Sequence, residues 1–216
     1  MGQNKMGQEI KPKLLIITGP QGSGNHLFSK LLSLHSDVVG WPMALDGWQG
    51  HHKEPFASAW EDPTLLKDYT WNINKSYVTS ISCPYFKNKR PQTPKYKEFI
   101  TEAQTHCDVK VAIIGREQTI LDYQQSRIRK RHTTPQALEQ FENLYSLCFT
   151  HYISFELFFL YGQNYLKSLQ TLLNFPIAWN HGIINDYQKM DSNKKYILKV
   201  EKGDFDAEVK KACDES

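Results

Sequence analysis

Leu14-Leu15-Ile16-Ile17 is an unbroken apolar run that passes at once into Thr18-Gly19-Pro20-Gln21-Gly22-Ser23-Gly24. Such a run suits a strand covered on both faces of a parallel sheet, and the glycines suit a tight turn out of it. Asn25 to Leu34 then carries apolar residues at 27, 28, 31, 32 and 34, a helical stripe that faces a sheet. Ser76 to Ser82 alternates Tyr77, Thr79 and Ile81 against Val78 and Ser80, a strand partly covered on both faces that ends near Pro84. Val109 to Ile114 is another short apolar run, ending at Gly115-Arg116, and His151 to Phe155 reads as a further strand. Helical patterns fall between them. One covers Lys95 to Thr105, and one carries Ile120, Leu121 and Tyr123 toward Arg131. Thr134-Pro135 opens a third as N-cap and first turn, running to Phe149 with Leu138, Phe141, Leu144, Tyr145 and Cys148 on its apolar face. Asn164 to Leu173 is a fourth, stopped before Pro176, and Tyr196 to Val200 reads as a final strand or an ordered arm.

Strands alternating with helices predict an α/β fold: three layers, α/β/α, around a central, mostly parallel sheet that binds ligands at the carboxyl ends of its strands. Two stretches interrupt the pattern. Gly40 to Trp60 is rich in Gly, Pro, His and Trp without a sustained period, an irregular connection where substrate contacts are expected. Lys87 to Pro94 is polar and basic, a surface loop. With 216 residues, 40 % of them hydrophobic, and no break in composition, the chain suits one core and a single domain over 1–216, with a polar tail at 1–11 and a charged tail at 206–216.

Charge and cysteine usage then narrow the function. A net charge of +3 is too small to call for a nucleic-acid partner. Arg127, Arg129, Lys130, Arg131 and His132 form one dense basic cluster, either a solvated helix end or an anion-binding edge beside the glycine-rich turn. Cys83, Cys107, Cys148 and Cys213 are widely spaced with no CxxC pair, which argues against a metal centre and a disulfide framework. No window approaches the roughly 20 apolar residues of a membrane span, and the polar N-terminus lacks the apolar region of a signal peptide. A cytoplasmic protein without membrane contact is expected.

The glycine-rich turn carries the chemistry. Backbone amides from Gly22 to His26, at a helix N-terminus, are placed to point at an anion. A nucleoside-triphosphate loop needs Lys and then Ser or Thr after its last glycine, where this chain has Asn25 and His26. The cradle is present without the ATP chemistry.

Three separated segments together resemble the sulfotransferases that use 3′-phosphoadenosine 5′-phosphosulfate (PAPS). Ser23-Gly24-Asn25-His26-Leu27-Phe28 is similar to the S-G-N-T-W-L form of the loop that binds the 5′-phosphosulfate in that family. Val111-Ala112-Ile113-Ile114-Gly115-Arg116-Glu117 resembles the second strand, whose arginine holds the 3′-phosphate. Ile153-Ser154-Phe155-Glu156-Leu157, with Leu166, Leu169 and Leu172, resembles the strand, "YEDL" turn and helix that follow. Order and spacing agree over roughly residues 12 to 176. The resemblance implies a sulfotransferase that moves a sulfuryl group from PAPS to a hydroxyl or amine of a small-molecule or glycan acceptor. It implies adenosine 3′,5′-bisphosphate as product and no metal.

On that resemblance, Gly22, Ser23, Gly24, Asn25, His26 and Leu27 would bind the phosphosulfate, and Arg116 the 3′-phosphate, as a bidentate partner. The family's serine falls eight residues after its arginine, where this chain has Gln124; Ser126 lies two further on, turned by about 200° on a helix. The cation that the family usually keeps before Ser-Gly is replaced by Gly22, with His26 and Lys30 as the nearest substitutes. Ser82 in Ser80-Ile81-Ser82-Cys83-Pro84 stands where some relatives have a catalytic His. The general base then falls to the loop after the first helix, where Asp46, His51, His52 and Glu54 lie, with His52 or His51 closest to neutral pKa. Trp41, Trp48, Trp60 and Trp71 are candidates to line the acceptor pocket, or core residues. Two other readings stay open: a nucleotide or nucleoside kinase, and a nucleotide-binding module without catalysis.

Overall fold

Among the described residues seven strands follow in chain order: β1 (Lys13–Pro20), β2 (Val38–Val39), β3 (Ser76–Cys83), β4 (Tyr85–Lys87), β5 (Arg90–Gln92), β6 (Asp108–Gly115) and β7 (Phe149–Ser154). The structure is a computed structural model that describes residues 10–41, 54, 56–87, 90–130, 132–194 and 197. Five strands make one sheet in the order β2-β3-β1-β6-β7, every neighbouring pair parallel. Strands β4 and β5 pair separately, as an antiparallel hairpin. The helices are α1 (Asn25–Leu32), α2 (Tyr96–His106), α3 (Gln118–Arg129), α4 (Thr134–Leu144), α5 (Phe155–Tyr161), α6 (Gln163–Leu173) and α7 (Ile184–Lys189). Helices cover both faces of the sheet, the expected α/β/α layering.

The apolar run of β1 explains this layering. Successive side chains of a strand point to opposite faces, so Leu15 and Ile17 enter one core and Leu14 and Ile16 the other. The first core packs Leu15, Ile17, Ala112, Ile114 and Ile153 against Phe28, Phe158, Leu166 and Ile184. The second packs Leu14, Ile16, Val111 and Ile113 against Trp60, Phe99, Phe141 and Leu144. All four β1 residues are at most 1 % exposed, and each contributes on the order of 1.5–3 kcal/mol by burial. At the amino ends of β1 and β6, Lys13 Nζ donates to Asn174 O at 2.7 Å and Lys110 Nζ to Leu173 O at 3.1 Å. Two cations thus close the C-terminus of α6, where the orphan carbonyls and the negative end of the dipole lie.

Register aligns the carboxyl ends of the strands. Gly19 of β1 stands beside Ser82 of β3, and Gly115 of β6 beside Ser154 of β7. The turn after β1 therefore meets the ends of β3 and β6 at one edge of the sheet.

Several boundaries differ from the sequence reading. Helix α4 starts from Thr133 as N-cap, with Pro135 in its first turn, and stops at Leu144 rather than Phe149. It stops because Phe149 is already in register with Lys110 on β6, so β7 begins two residues before His151. The segment 87–94, expected as a loop, contributes to the β4–β5 hairpin. Helix α5 was not anticipated, nor was α7. The side chain of Ser154 accepts from Leu157 N at the start of α5, and Phe155 and Phe158 are buried. Of the expected arm over 196–200 only Ile197 is described, and its N–H donates to Asn193 O at 3.0 Å, a helical bond rather than a strand's.

A buried polar seam joins α1 to β3. Glu54, 6 % exposed, accepts from Ser29 Oγ at 3.1 Å, from Ser80 N at 3.0 Å and from Ser80 Oγ at 2.5 Å. Trp41 Nε1 donates to Ser29 Oγ at 3.0 Å. Burial pushes the Glu54 carboxyl above its usual value, against the opposing pull of the Ser80, Ser29 and Trp41 hydrogen bonds. A carboxyl raised in this way holds its proton more tightly folded than unfolded. The stability it adds is whole below the unfolded pKa and is lost as pH rises through the folded one. The urea midpoint of the wild type relative to Glu54→Gln should therefore fall as pH rises from about 4, the unfolded value. A difference that is flat or rises with pH contradicts this ionisation.

Candidate functional site

The turn after β1 is shaped by its glycines. Ser23 N donates to Pro20 O at 3.1 Å, and Gly22 and Gly24 take φ of +88° and +107°, left-handed values that favour glycine. A Cβ on Gly24 would stand 2.5 Å from the ring of Phe155, which fills that space. Gly24 is the N-cap of α1, so no side chain caps the helix, whose first amides face the carboxyl edge of the sheet. Ser23 and Asn25 turn inward. Ser23 Oγ donates to Asn25 Oδ1 at 3.1 Å, and Asn25 Nδ2 donates to Ser82 Oγ at 3.0 Å and Gly19 O at 3.3 Å. These side chains brace the turn against β3.

Arg116 reaches this turn from the end of β6. Its Nη1 donates to Gly22 O at 2.5 Å and to Gln124 Oε1 at 2.6 Å. The guanidinium carbon lies 4.4 Å from the centroid of Phe155, the same ring that packs on Gly24. One aromatic side chain thus fixes the glycine turn and the arginine together. The neighbouring Glu117 caps α3, accepting from Thr119 N at 3.1 Å and Ile120 N at 2.6 Å. Burial alone would raise its pKa; the Ile120 and Thr119 bonds and the charge of Arg116 outweigh that and hold the carboxyl below its usual value. Glu156 accepts from Glu117 N at 2.9 Å, tying the end of β7 to the end of β6. Beside Arg116, a cleft of about 690 Å³ opens between the end of β7 and α6, lined by residues that include Ser154, Glu156, Tyr165 and Leu169.

The other expected site residues are distributed unevenly. Gln124 lies against Gly22 and Arg116, whereas Ser126 pairs with His132 Nε2 at 3.1 Å at the far end of α3. His132 Nδ1 in turn lies 3.4 Å from Asp122 Oδ1, and Arg127 and Lys130 are exposed. His26 and Leu27 are in the first turn of α1; Leu27 is core, while His26 is half-buried with its ring edge-on to Trp41 at 5.5 Å. Lys30 is 3 % exposed, with Nζ 4.9 Å over the Trp41 ring. Asp46, Trp48, His51 and His52 lie outside the described residues. Trp60 stacks on Phe99 at 3.8 Å and Trp71 on Phe56 at 5.2 Å, so both belong to the core rather than to an acceptor wall. Cys83, next to Ser82, is pushed up to about 12 by burial and stays a thiol at neutral pH.

Sequence reasoning missed three residues. Gln125 is buried, its Nε2 donating to Gln21 O at 2.9 Å and its Oε1 accepting from Thr133 N at 2.7 Å. It ties the turn to α4. Ser192 and Asn193 meet Arg116 from near the chain's end. The hydrophobic pattern carries no mark of either contact, since neither contributes apolar spacing.

No family model matches the chain, and no curated protein does. Among solved structures it is similar to a sulfotransferase domain from the curacin biosynthetic pathway, at 15 % identity and a TM-score of 0.49, covering 78 % of this chain and 76 % of that one. An overlap of that depth bears on neither the residues of the site nor its chemistry. Among the described residues no helix is long and apolar enough to cross a membrane.

The coupling through Phe155 has a direct consequence. Gly24→Ala introduces a methyl group into the Phe155 ring on a left-handed backbone, and should cost about 2–4 kcal/mol in strain and overpacking. Denaturant unfolding measures this cost. A loss under about 1 kcal/mol would mean that Phe155 does not hold the turn.

Proposed function

We propose that this chain is a PAPS-dependent sulfotransferase, with the phosphosulfate on the turn after β1 and the 3′-phosphate on Arg116. The observation that carries the reading is the bond from Arg116 Nη1 to Gly22 O, which sets a guanidinium against a glycine-rich helix N-terminus. Two anion seats of different chemistry then adjoin one loop. A nucleotide with phosphates on both its 3′ and 5′ positions matches them better than a linear triphosphate, which needs the lysine and hydroxyl that Asn25 and His26 replace.

In this reading the amides of Gly22 to His26 bind the oxygens of the 5′-phosphosulfate, with Leu27 seating the helix beneath them. Gln124 orients Arg116 for the 3′-phosphate, and Ser126, turned toward His132, takes no part. The acceptor's oxygen or nitrogen attacks sulfur, the bond from sulfur to the 5′-phosphate oxygen breaks, and the acceptor's proton passes to a base. His52 and His51 are the leading bases, and His26, at the loop itself, is the nearest catalytic substitute for the missing loop cation. The acceptor is a small molecule or a glycan. Positioning and preorganised electrostatics carry most of the rate, as in phosphoryl transfer.

One observation favours a second reading, nucleotide binding without transfer. Gly22 stands where a cation would neutralise the leaving phosphate, and its φ of +88° strains any side chain there, with the Gln124 amide 3.1 Å from the Cβ position. Calorimetric titration with adenosine 3′,5′-bisphosphate and with ATP, followed by transfer of labelled sulfate to a panel of acceptors, separates the two. Bisphosphate binding with transfer is expected. Binding without transfer supports the second reading, and no bisphosphate binding overturns both. Arg116→Ala should weaken the bisphosphate by roughly a hundredfold, the loss of one bidentate charged contact. Unchanged affinity would remove Arg116 from the site.

A further inference from the structure

Arg116 has five N–H donors, and four oxygens accept five bonds from them. Nη1 donates to Gly22 O and Gln124 Oε1, Nε and Nη2 both donate to Asn193 Oδ1, and Nη2 also donates to Ser192 Oγ. The first two acceptors belong to the turn and to α3, and they position the guanidinium. The other two come from a single short segment after α7. Asn193 Oδ1 bridges Nε and Nη2, the forked edge by which a guanidinium receives one oxygen of a phosphate or carboxylate. Ser192 Oγ takes the other N–H of Nη2.

We infer that Ser192 and Asn193 form a strap that occupies the anion seat of Arg116 in the unliganded chain, and that an incoming phosphate opens it. This rests on the proposed role of Arg116. The segment is firmly placed: Asn193 is 5 % exposed, its N–H donates to Asp191 Oδ1 at 2.9 Å and its Nδ2 to Glu156 Oε1 at 3.3 Å. Its hold on Arg116 is through neutral oxygens, whereas a phosphate offers charged ones, and charge-assisted bonds are about twice as strong. The exchange therefore favours the anion, at the expense of the strap's contacts. The same contacts explain how a half-buried guanidinium is satisfied before ligand arrives, since an unmade bond to a charged group is costly. A ligand able to displace the strap needs a dianionic phosphate group; a neutral hydroxyl in its place gains nothing over Asn193. The strap thus selects for the 3′-phosphorylated nucleotide against its dephosphorylated analogue.

Hydrogen exchange over residues 190–194 and calorimetry, both on the full chain, test this with adenosine 3′,5′-bisphosphate, adenosine 5′-monophosphate and inorganic pyrophosphate as probes. Bisphosphate should speed exchange across the segment, and the monophosphate should not. Asn193→Ala should bind bisphosphate roughly tenfold more tightly than the wild type, and Ser192→Ala a few-fold more tightly, because each removes a competitor for the seat. If bisphosphate binds but slows exchange, or binds equally or more weakly to both variants, the strap is overturned and the nucleotide reading stands. If bisphosphate fails to bind while pyrophosphate still speeds exchange, the nucleotide reading fails and the strap stands. If no probe binds and none changes exchange, both fall.

Discussion

Burial of β1 on both faces is the constraint from which the rest of the molecule follows. Four consecutive apolar residues, alternating between two cores, need helices above and below, and parallel neighbours on either side supply the ladder that buried backbone requires. A strand held so tightly delivers the next residues to a fixed point at the sheet's carboxyl edge. The turn at Gly22 to Gly24 is therefore placed by packing that lies well below it, and it meets the ends of β3 and β6 because the register of those strands matches its own.

Within the turn, conformation and chemistry compete. Left-handed backbone at Gly22 and Gly24 exposes amides that an anion can use, and the same geometry excludes side chains. Positive charge must then come from elsewhere. It arrives on Arg116, steadied by Phe155 and Gln124, and the ring that steadies it is also the ring that a larger residue at Gly24 would strike. The cradle and its cation are parts of one packing unit. Lys30, by contrast, is buried in α1, with its Nζ 4.9 Å over the Trp41 ring.

How much of this the sequence discloses depends on whether a feature has a period. The β1 run, the α1 stripe and the α6 stripe repeat with clear spacing, so strands, helices and the α/β class were all legible. The β1–α1 turn and Arg116 stand out in the sequence because glycines after a strand and an arginine after another are local signals, and the structure brings the two together. Helix α5 was not, since it follows β7 without an intervening loop and its Phe155-Glu156-Leu157-Phe158-Phe159 run is apolar on more than one side. Gln125 and Asn193 were equally hidden. Their roles come from hydrogen bonds spanning 104 and 77 positions, to Gln21 and Arg116, which no local pattern records. For the tryptophans of the 40–71 region the sequence left pocket lining and core both open, and the structure packs Trp60 and Trp71 into the core.

The central claim is that one loop and one arginine hold the two phosphates of a single nucleotide. A crystal structure with adenosine 3′,5′-bisphosphate tests it most directly. The account predicts the 5′-phosphate on the backbone amides between Gly22 and His26 and the 3′-phosphate on the Nε and Nη2 edge of Arg116, in place of Asn193. A bisphosphate bound with neither phosphate at those positions would contradict it.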